Sequence, residues 1–171
     1  VCSSDLVMSH ALWMVQEGPQ ACREPAEQLA VGQIYERAGD LDRAVEAYGL
    51  ATRLGDADVQ RPAWARLAVM HRRAGEFEQS AAAWQRILDL VPRSRRSLTT
   101  IERQAMQALA IHHEHRARDL DRARGYAEAL SATTVGRHKA DTERRLERLS
   151  RKIRSEETEG KLTLRYEPEQ S

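Results

Sequence analysis

The chain has 171 residues and a nearly balanced charge, with 27 Lys and Arg against 26 Asp and Glu. Hydrophobic residues make up 41%, aromatic residues only 5%, and there are five prolines, a composition that favours helix. No run of about 18 apolar residues is present, which argues against a transmembrane helix. The two cysteines argue against a disulfide framework and favour a reducing, cytoplasmic location.

The N-terminal residues divide into two short segments. Residues 1–6 (VCSSDL) match the translation of a common sequencing-adapter end, so we expect an artefact there and a protein that extends further upstream. Residues 7–17 (VMSHALWMVQE) place Val7, Ala11 and Met14 at helical spacing before Gly18 and Pro19. They predict one helix, the possible remnant of an upstream domain.

Two successive segments repeat with a period of 36 residues, the distance between Gly39 and Gly75. Superposing the two glycines aligns residues of the same size class, as two helical hairpins require. The aligned pairs are Tyr35 with His71, Leu41 with Phe77, Ala44 with Ser80, Tyr48 with Trp84, and Ala51 with Ile87. Each glycine can take the left-handed conformation that ends a helix, and an acidic residue follows it.

A third, more divergent copy covers residues 106–130, with one extra residue in its turn. His113 aligns with His71, and Ser97, Thr99 or Thr100 can cap its first helix. Residues 141–153 predict an amphipathic helix that covers the last hairpin. The charged residues 154–171 predict a disordered tail, with only a weak alternation at 161–166.

The order of residues resembles the tetratricopeptide repeat. The second copy carries Trp64, Leu67, Ala68, Gly75, Phe77, Trp84 and Pro92, and the first carries Gly32, Tyr35, Gly39, Leu41, Ala44, Tyr48 and Ala51. The resemblance implies an all-α, TPR-like α-solenoid of about three hairpins over residues 25–153, with an N-terminal helix and a C-terminal capping helix. It also implies a partner-binding groove lined by Gln33, Arg37, Val69, Arg72, Arg73, Ile111, Glu114 and His115.

The sequence offers little that suggests catalysis. The run from His112 to His115 is dense in potential ligands, but consecutive helical residues point about 100° apart and do not converge on a metal. We expect His113 to replace a core aromatic residue. No Gly-rich phosphate loop or nucleophile elbow is present. The sequence therefore predicts a chain that is not an enzyme and that holds no metal and no cofactor.

The third copy (LAIHHEHRARDLDRARGYAEAL) also resembles the C-terminal repeats of bacterial ribonuclease H-like exonuclease-domain proteins. The stretch VMSHALWMV is similar to the helix that closes the exonuclease domain in that family. The resemblance implies a metal-dependent exonuclease as the parent protein, with its catalytic domain missing from this chain. The partner would then be another protein, a peptide or that missing domain.

A second reading comes from the charge distribution. Residues 93–154 contain sixteen Lys and Arg against eight Asp and Glu, a net charge of +8, whereas residues 1–92 carry −4. A basic segment can attract nucleic acid. The alternative to a protein-binding scaffold is therefore a nucleic-acid-binding accessory module. Its candidate contacts are Arg93, Arg95, Arg96, Arg144, Arg148 and Arg151.

Overall fold

The computed structural model describes residue 9 and residues 12–92, 97–133 and 137–164. Within these ranges the chain is helical and contains no strand, which confirms the all-α prediction. The helices form two compact units, Val1–Ser94 and Arg95–Ser171. Across the described ranges, no helix is both long enough and apolar enough to cross a bilayer.

The first unit contains two helical hairpins. Residues 12–17 are helical (α1), and a single 3-10 turn follows at Pro19–Ala21. The hairpin helices are α2 (Pro25–Ala38), α3 (Leu41–Leu54), α4 (Ala57–Arg73) and α5 (Phe77–Asp89). Helix α2 packs on α3 and α4 on α5, while α3 also packs on α4. The boundaries agree with the two repeats read from the 36-residue period.

Both hairpin turns rest on a glycine in the left-handed conformation. Gly39 has φ 83° and Gly75 has φ 81°, as the sequence predicted. Asp40 then caps α3, because its carboxylate accepts a hydrogen bond from the backbone N–H of Arg43 at 3.2 Å. Glu76 occupies the equivalent position before α5 but makes no side-chain cap. Its carboxylate instead lies 2.5 Å from Nδ1 of His71.

Small residues allow the two helices of each hairpin to approach closely. A Cβ atom added at Gly32 of α2 would lie 2.7 Å from Cε1 of Tyr48 on α3, whose side chain is completely buried. In the second hairpin, Ser80 stands where the first has alanine. Its hydroxyl donates to the carbonyl oxygen of Ala68 at 2.8 Å, which satisfies the buried polar group.

The second unit is built on α7 (Leu120–Thr133). Helix α6 (Thr100–His112) and helix α8 (Arg137–Leu164) both pack against it. Thr99 begins α6 with a capping box, in which Glu102 accepts a hydrogen bond from the backbone N–H of Thr99 at 2.7 Å. The core on the α8 side is the apolar cluster of Leu120, Ala123, Ala127 and Leu149.

The extra residue of the third repeat is absorbed as a wide helical turn. Residues His113–Ala117 continue α6 as a π-helical segment, and Arg118 then ends it with φ 53°. A π turn accommodates one inserted residue without interrupting the helix. Asp119 caps α7 through a 3.0 Å hydrogen bond from the backbone N–H of Arg122. The insertion therefore changes the end of α6 rather than the pairing of α6 with α7.

The last helix is longer than the sequence suggested. We predicted a helix at 141–153 followed by a disordered tail, whereas α8 begins at Arg137 and continues to Leu164. Lys, Arg and Glu are strong helix formers, so a highly charged segment can prolong a helix that is already anchored by an apolar stripe. The weak alternation at 161–166 does not form a strand within the helical residues 161–164. Residues 165–171, like residues 1–6, lie outside the described ranges.

Substitution at two glycines should test the close approach of α2 and α3. Gly32→Ala should lower the free energy of unfolding by about 1 kcal/mol or more, because overpacking outweighs the gain in helix propensity. Gly49→Ala on α3 is the matched control, since its added Cβ would meet only the Arg53 side chain at 3.7 Å. It should stabilise by up to about 1 kcal/mol. Urea denaturation of both variants measures the difference, and equal stabilisation by both would refute the steric constraint.

Candidate partner-binding faces

A carboxylate lies at the centre of the face formed by α2 and α4 in the first unit. Glu36 on α2 accepts a 2.8 Å hydrogen bond from the hydroxyl of Tyr48. Its two carboxylate oxygens lie 3.8 Å from Nη1 of Arg66 and 3.8 Å from Nη1 of Arg73, both on α4. The Glu36 side chain is only 15% exposed, whereas the two arginines are 51% and 68% exposed. The arginines therefore keep most of their donors accessible to a ligand.

The buried hydroxyl of Tyr48 fixes the position of this carboxylate. Burial raises the pKa of Tyr48 above its ordinary value, and the hydrogen bond to Glu36 raises it further. Arg66 and Arg37 act in the opposite direction, which places both positive charges near the hydroxyl. The hydroxyl therefore stays protonated and donates to Glu36 throughout the physiological range.

The sequence-predicted groove residues of the first unit occupy α2 and α4. Arg37, Arg72 and Arg73 are exposed, while Gln33 and Val69 are half-buried. Sequence reasoning missed Glu36 and Arg66. The spacing of Arg66, Val69 and Arg73 would have identified Arg66, because residues three and seven positions apart share one helix face.

The second unit contains a buried carboxylate at Glu114, in the π-helical segment. Its side chain is completely buried, and Arg148 of α8 binds it through two hydrogen bonds of 2.9 Å. Lys152, one turn further along α8, donates a third at 2.9 Å. These hydrogen bonds, chiefly those from Arg148, lower the pKa of Glu114 to about 2 despite the opposing effect of burial. The carboxylate therefore joins the end of α6 to the middle of α8.

The sequence predicted that Glu114 lines the partner-binding groove, but its side chain is buried inside the second unit. Its oxygens are already bound within the unit, because the wide turn directs the side chain onto α8. Ile111 and His115, the other predicted groove residues of this unit, are exposed. Nε2 of His115 lies 3.6 Å from the Glu114 carboxylate.

The predicted nucleic-acid contacts fall into three groups. Arg144 and Arg151 are exposed on α8, and Nη1 of Arg144 lies 3.6 Å from the Asp141 carboxylate. Arg148, also predicted as a nucleic-acid contact, binds Glu114 through its Nε and Nη2 atoms, and its side chain is 44% exposed. Arg93, Arg95 and Arg96 lie outside the described ranges.

The histidine run has a packing role at one position. The ring of His113 stacks on Tyr126 of α7, with centroids 5.7 Å apart and an interplanar angle of 18°. The neighbouring His112 ring meets it edge-on at 5.4 Å. In the part of the chain that the structure describes, no three His, Cys, Asp or Glu side chains converge as a metal site.

A scan against protein-family models and a search of curated proteins found no match to the chain. The tetratricopeptide and exonuclease resemblances therefore stay predictions from the sequence.

Removing the Glu114 carboxylate should destabilise the protein. Glu114→Gln leaves two cations facing a neutral amide, and we expect a loss of about 3 kcal/mol at pH 7. The pKa of Glu114 in the folded state, about 2, is below the ordinary value of 4.5, so the ion pair stabilises the fold above pH 4.5. That contribution disappears as the pH falls from 4.5 towards 2.

Denaturation curves recorded between pH 7 and pH 2 measure both effects. The wild-type protein should lose this stability at acid pH, and Glu114→Gln should lack that component. Glu128→Gln is the matched control, because Glu128 is an exposed residue paired along its own helix with Arg124 at 3.4 Å. Its effect should stay within about 0.5 kcal/mol. A Glu114 variant as stable as the control would contradict a stabilising role for the hydrogen bonds from Arg148 and Lys152 to Glu114.

Proposed function

We propose that the chain is a non-catalytic interaction scaffold built from tetratricopeptide-like hairpins, and that the face of α2 and α4 binds an acidic segment of a partner protein. The proposal follows from one observation. Residues 1–92 have a net charge of −4, yet Arg66 and Arg73 both lie 3.8 Å from the Glu36 carboxylate, and Arg37 lies near the Tyr48 hydroxyl that donates to it. Guanidinium groups bind carboxylates through charge-assisted hydrogen bonds, so this group of arginines favours ligands that contain carboxylates.

The hairpin geometry supports the repeat class in this proposal. Gly39 and Gly75 end the first helices of two successive hairpins in the same conformation, and small residues occupy the close contacts of both. Helices α2 and α4, the first helix of each hairpin, also contact one another. In stacked hairpin repeats the first helices supply the binding surface.

Reversing the charge of arginines on the face of α2 and α4 should show whether this face, rather than other arginines of the first unit, binds an acidic peptide. Arg66→Glu combined with Arg73→Glu should weaken binding of a fluorescent peptide rich in Asp and Glu by at least about tenfold. Arg53→Glu combined with Arg86→Glu is the matched control, because it makes the same charge change on exposed positions of α3 and α5. Fluorescence anisotropy measures both affinities, and equal losses in the two variants would reject this face as the binding site.

The sequence resemblance extends the proposal to the parent protein. The scaffold would be the C-terminal module of a ribonuclease H-like exonuclease protein, and its own upstream domain would be one partner. Under this proposal the present chain is inactive alone. Purified protein should leave single-stranded DNA and RNA intact with magnesium or manganese. Degradation that follows the protein through purification would contradict it, and the upstream reading frame would show whether a nuclease domain is encoded.

The exposed arginines of α8 support a second candidate function, a nucleic-acid-binding accessory module. Arg144 and Arg151 face solvent, as does Arg154 one turn beyond Ser150. Phosphate contacts release counterions, so the affinity for nucleic acid should fall steeply with salt.

Arg144→Glu combined with Arg151→Glu tests the second function. If α8 binds phosphates, the variant should bind single-stranded DNA more weakly. The slope of log affinity against log salt should also become shallower by about one for every arginine–phosphate interaction that the substitutions remove. Arg53→Glu combined with Arg86→Glu again provides the control. Unchanged affinity and slope would exclude α8 as a nucleic-acid surface.

A further inference from the structure

Glu36 lies close to two arginines on the face of α2 and α4 without a hydrogen bond to either. Nη1 of Arg66 is 3.8 Å from Oε2 of Glu36, and Nη1 of Arg73 is 3.8 Å from Oε1. The two heavy atoms of an N–H···O hydrogen bond are about 2.7–3.2 Å apart, so both distances are too long. The two contacts are therefore ion pairs only. Because both arginines are more than half exposed, each pair is weak.

The Tyr48 hydroxyl holds the Glu36 carboxylate at this distance from the arginines. It donates a 2.8 Å hydrogen bond to Oε2, the same oxygen that faces Arg66. The Tyr48 side chain is completely buried, and its Cε1 atom lies where a Cβ atom at Gly32 would be 2.7 Å away. A ring packed this closely against α2 cannot follow the carboxylate. If the carboxylate turned towards the arginines, it would lose the hydrogen bond from Tyr48.

An incoming carboxylate can make the hydrogen bonds that Glu36 does not make. The side chains of Arg66 and Arg73 are 51% and 68% exposed, whereas that of Glu36 is 15% exposed. A ligand therefore meets the guanidinium groups before it meets the carboxylate behind them. A guanidinium and a carboxylate can form two parallel charge-assisted hydrogen bonds, which are stronger than an ion pair without hydrogen bonds. Glu36 still opposes binding, because its negative charge repels the ligand and attracts the arginines.

We propose that Glu36 is an internal competitor, which pairs with Arg66 and Arg73 in the free protein and gives them up to a carboxylate of the partner. This inference rests on the proposed function of the face of α2 and α4, and it concerns the regulation of that site. The Tyr48 hydroxyl sets the strength of the competition, because it prevents Glu36 from forming hydrogen bonds with the arginines. The competition lowers the affinity for the acidic segment and keeps its binding reversible.

Removal of the Glu36 charge tests the competition directly. Glu36→Gln keeps an oxygen that accepts the hydrogen bond from Tyr48, but it no longer attracts the arginines or repels the ligand. It should bind the fluorescent peptide rich in Asp and Glu about threefold more tightly than the wild-type protein. Glu46→Gln is the matched control, since Glu46 is an exposed residue of α3 that accepts a hydrogen bond from Gln20 at 2.7 Å. It makes the same change in net charge and should leave the affinity unchanged. Equal affinities of the two variants would refute the competition.

A double-mutant cycle tests the role of the Tyr48 hydroxyl. Tyr48→Phe releases the Glu36 carboxylate, which can then form hydrogen bonds with the arginines, so peptide binding should weaken by about threefold. In the Glu36→Gln background the same substitution should have little further effect, because the competing charge is already absent. An equal loss in both backgrounds would show that Tyr48 acts through packing and would contradict the proposal. If Tyr48→Phe does not fold, the comparison of Glu36→Gln with Glu46→Gln decides.

A neutral peptide separates competition for carboxylates from a general gain in affinity. In this peptide Asn and Gln replace Asp and Glu, and Glu36→Gln should bind it no more tightly than the wild-type protein does. A gain for both peptides would overturn the proposal.

The proposed function of this face can fail separately. It fails if Arg66→Glu combined with Arg73→Glu binds the acidic peptide as tightly as the wild-type protein. If this double variant loses binding but Glu36→Gln gains none over Glu46→Gln, only the competition is refuted. If neither the wild-type protein nor Glu36→Gln binds the acidic peptide, both proposals are wrong.

Discussion

The architecture depends on how closely the two helices of a hairpin can approach. At Gly32 the backbone of α2 lies against the buried ring of Tyr48, at a distance that excludes even a methyl group. The second hairpin meets the same constraint with Ala68 and Ser80, and it satisfies the added hydroxyl through the Ala68 carbonyl. These contacts set the spacing of the two helices within each hairpin, and the contacts of α4 with α2 and α3 then bring the first helices of the two hairpins together.

The same hairpin position serves two different purposes in the two units. Glu36 follows Tyr35, and Glu114 follows the aligned His113. Glu114 is completely buried and binds two cations at 2.9 Å, so its charge is used to join α6 to α8. Glu36 is partly exposed, and its arginines lie at the longer distance of 3.8 Å. Burial strengthens the electrostatic attraction within an ion pair and makes its charges inaccessible to a binding partner. Partial exposure, by contrast, leaves the arginines able to exchange Glu36 for a carboxylate of a ligand.

The hairpins could be predicted from the sequence because their determinants are local. Gly39 and Gly75 mark the turns. Small residues within the helices mark the positions at which the two helices of a hairpin can approach closely. The burial of Glu114 could not be predicted in this way, since it depends on the wide turn that contains it and on two residues of α8 more than thirty positions later. The length of α8 was also missed, because low apolar content resembles disorder even where Lys, Arg and Glu favour helix.

The net charge of +8 in residues 93–154 overstates the positive charge available on the surface. Arg148 and Lys152 donate hydrogen bonds to the Glu114 carboxylate. Arg103 donates hydrogen bonds to a backbone carbonyl oxygen and to a threonine hydroxyl. Arg145 is partly buried. Seven other arginines of this segment, all among the described residues, are exposed: Arg116, Arg118, Arg122, Arg124, Arg144, Arg151 and Arg154. The internal contacts therefore account for only part of the positive charge, and contact with phosphate groups would fall to the exposed arginines.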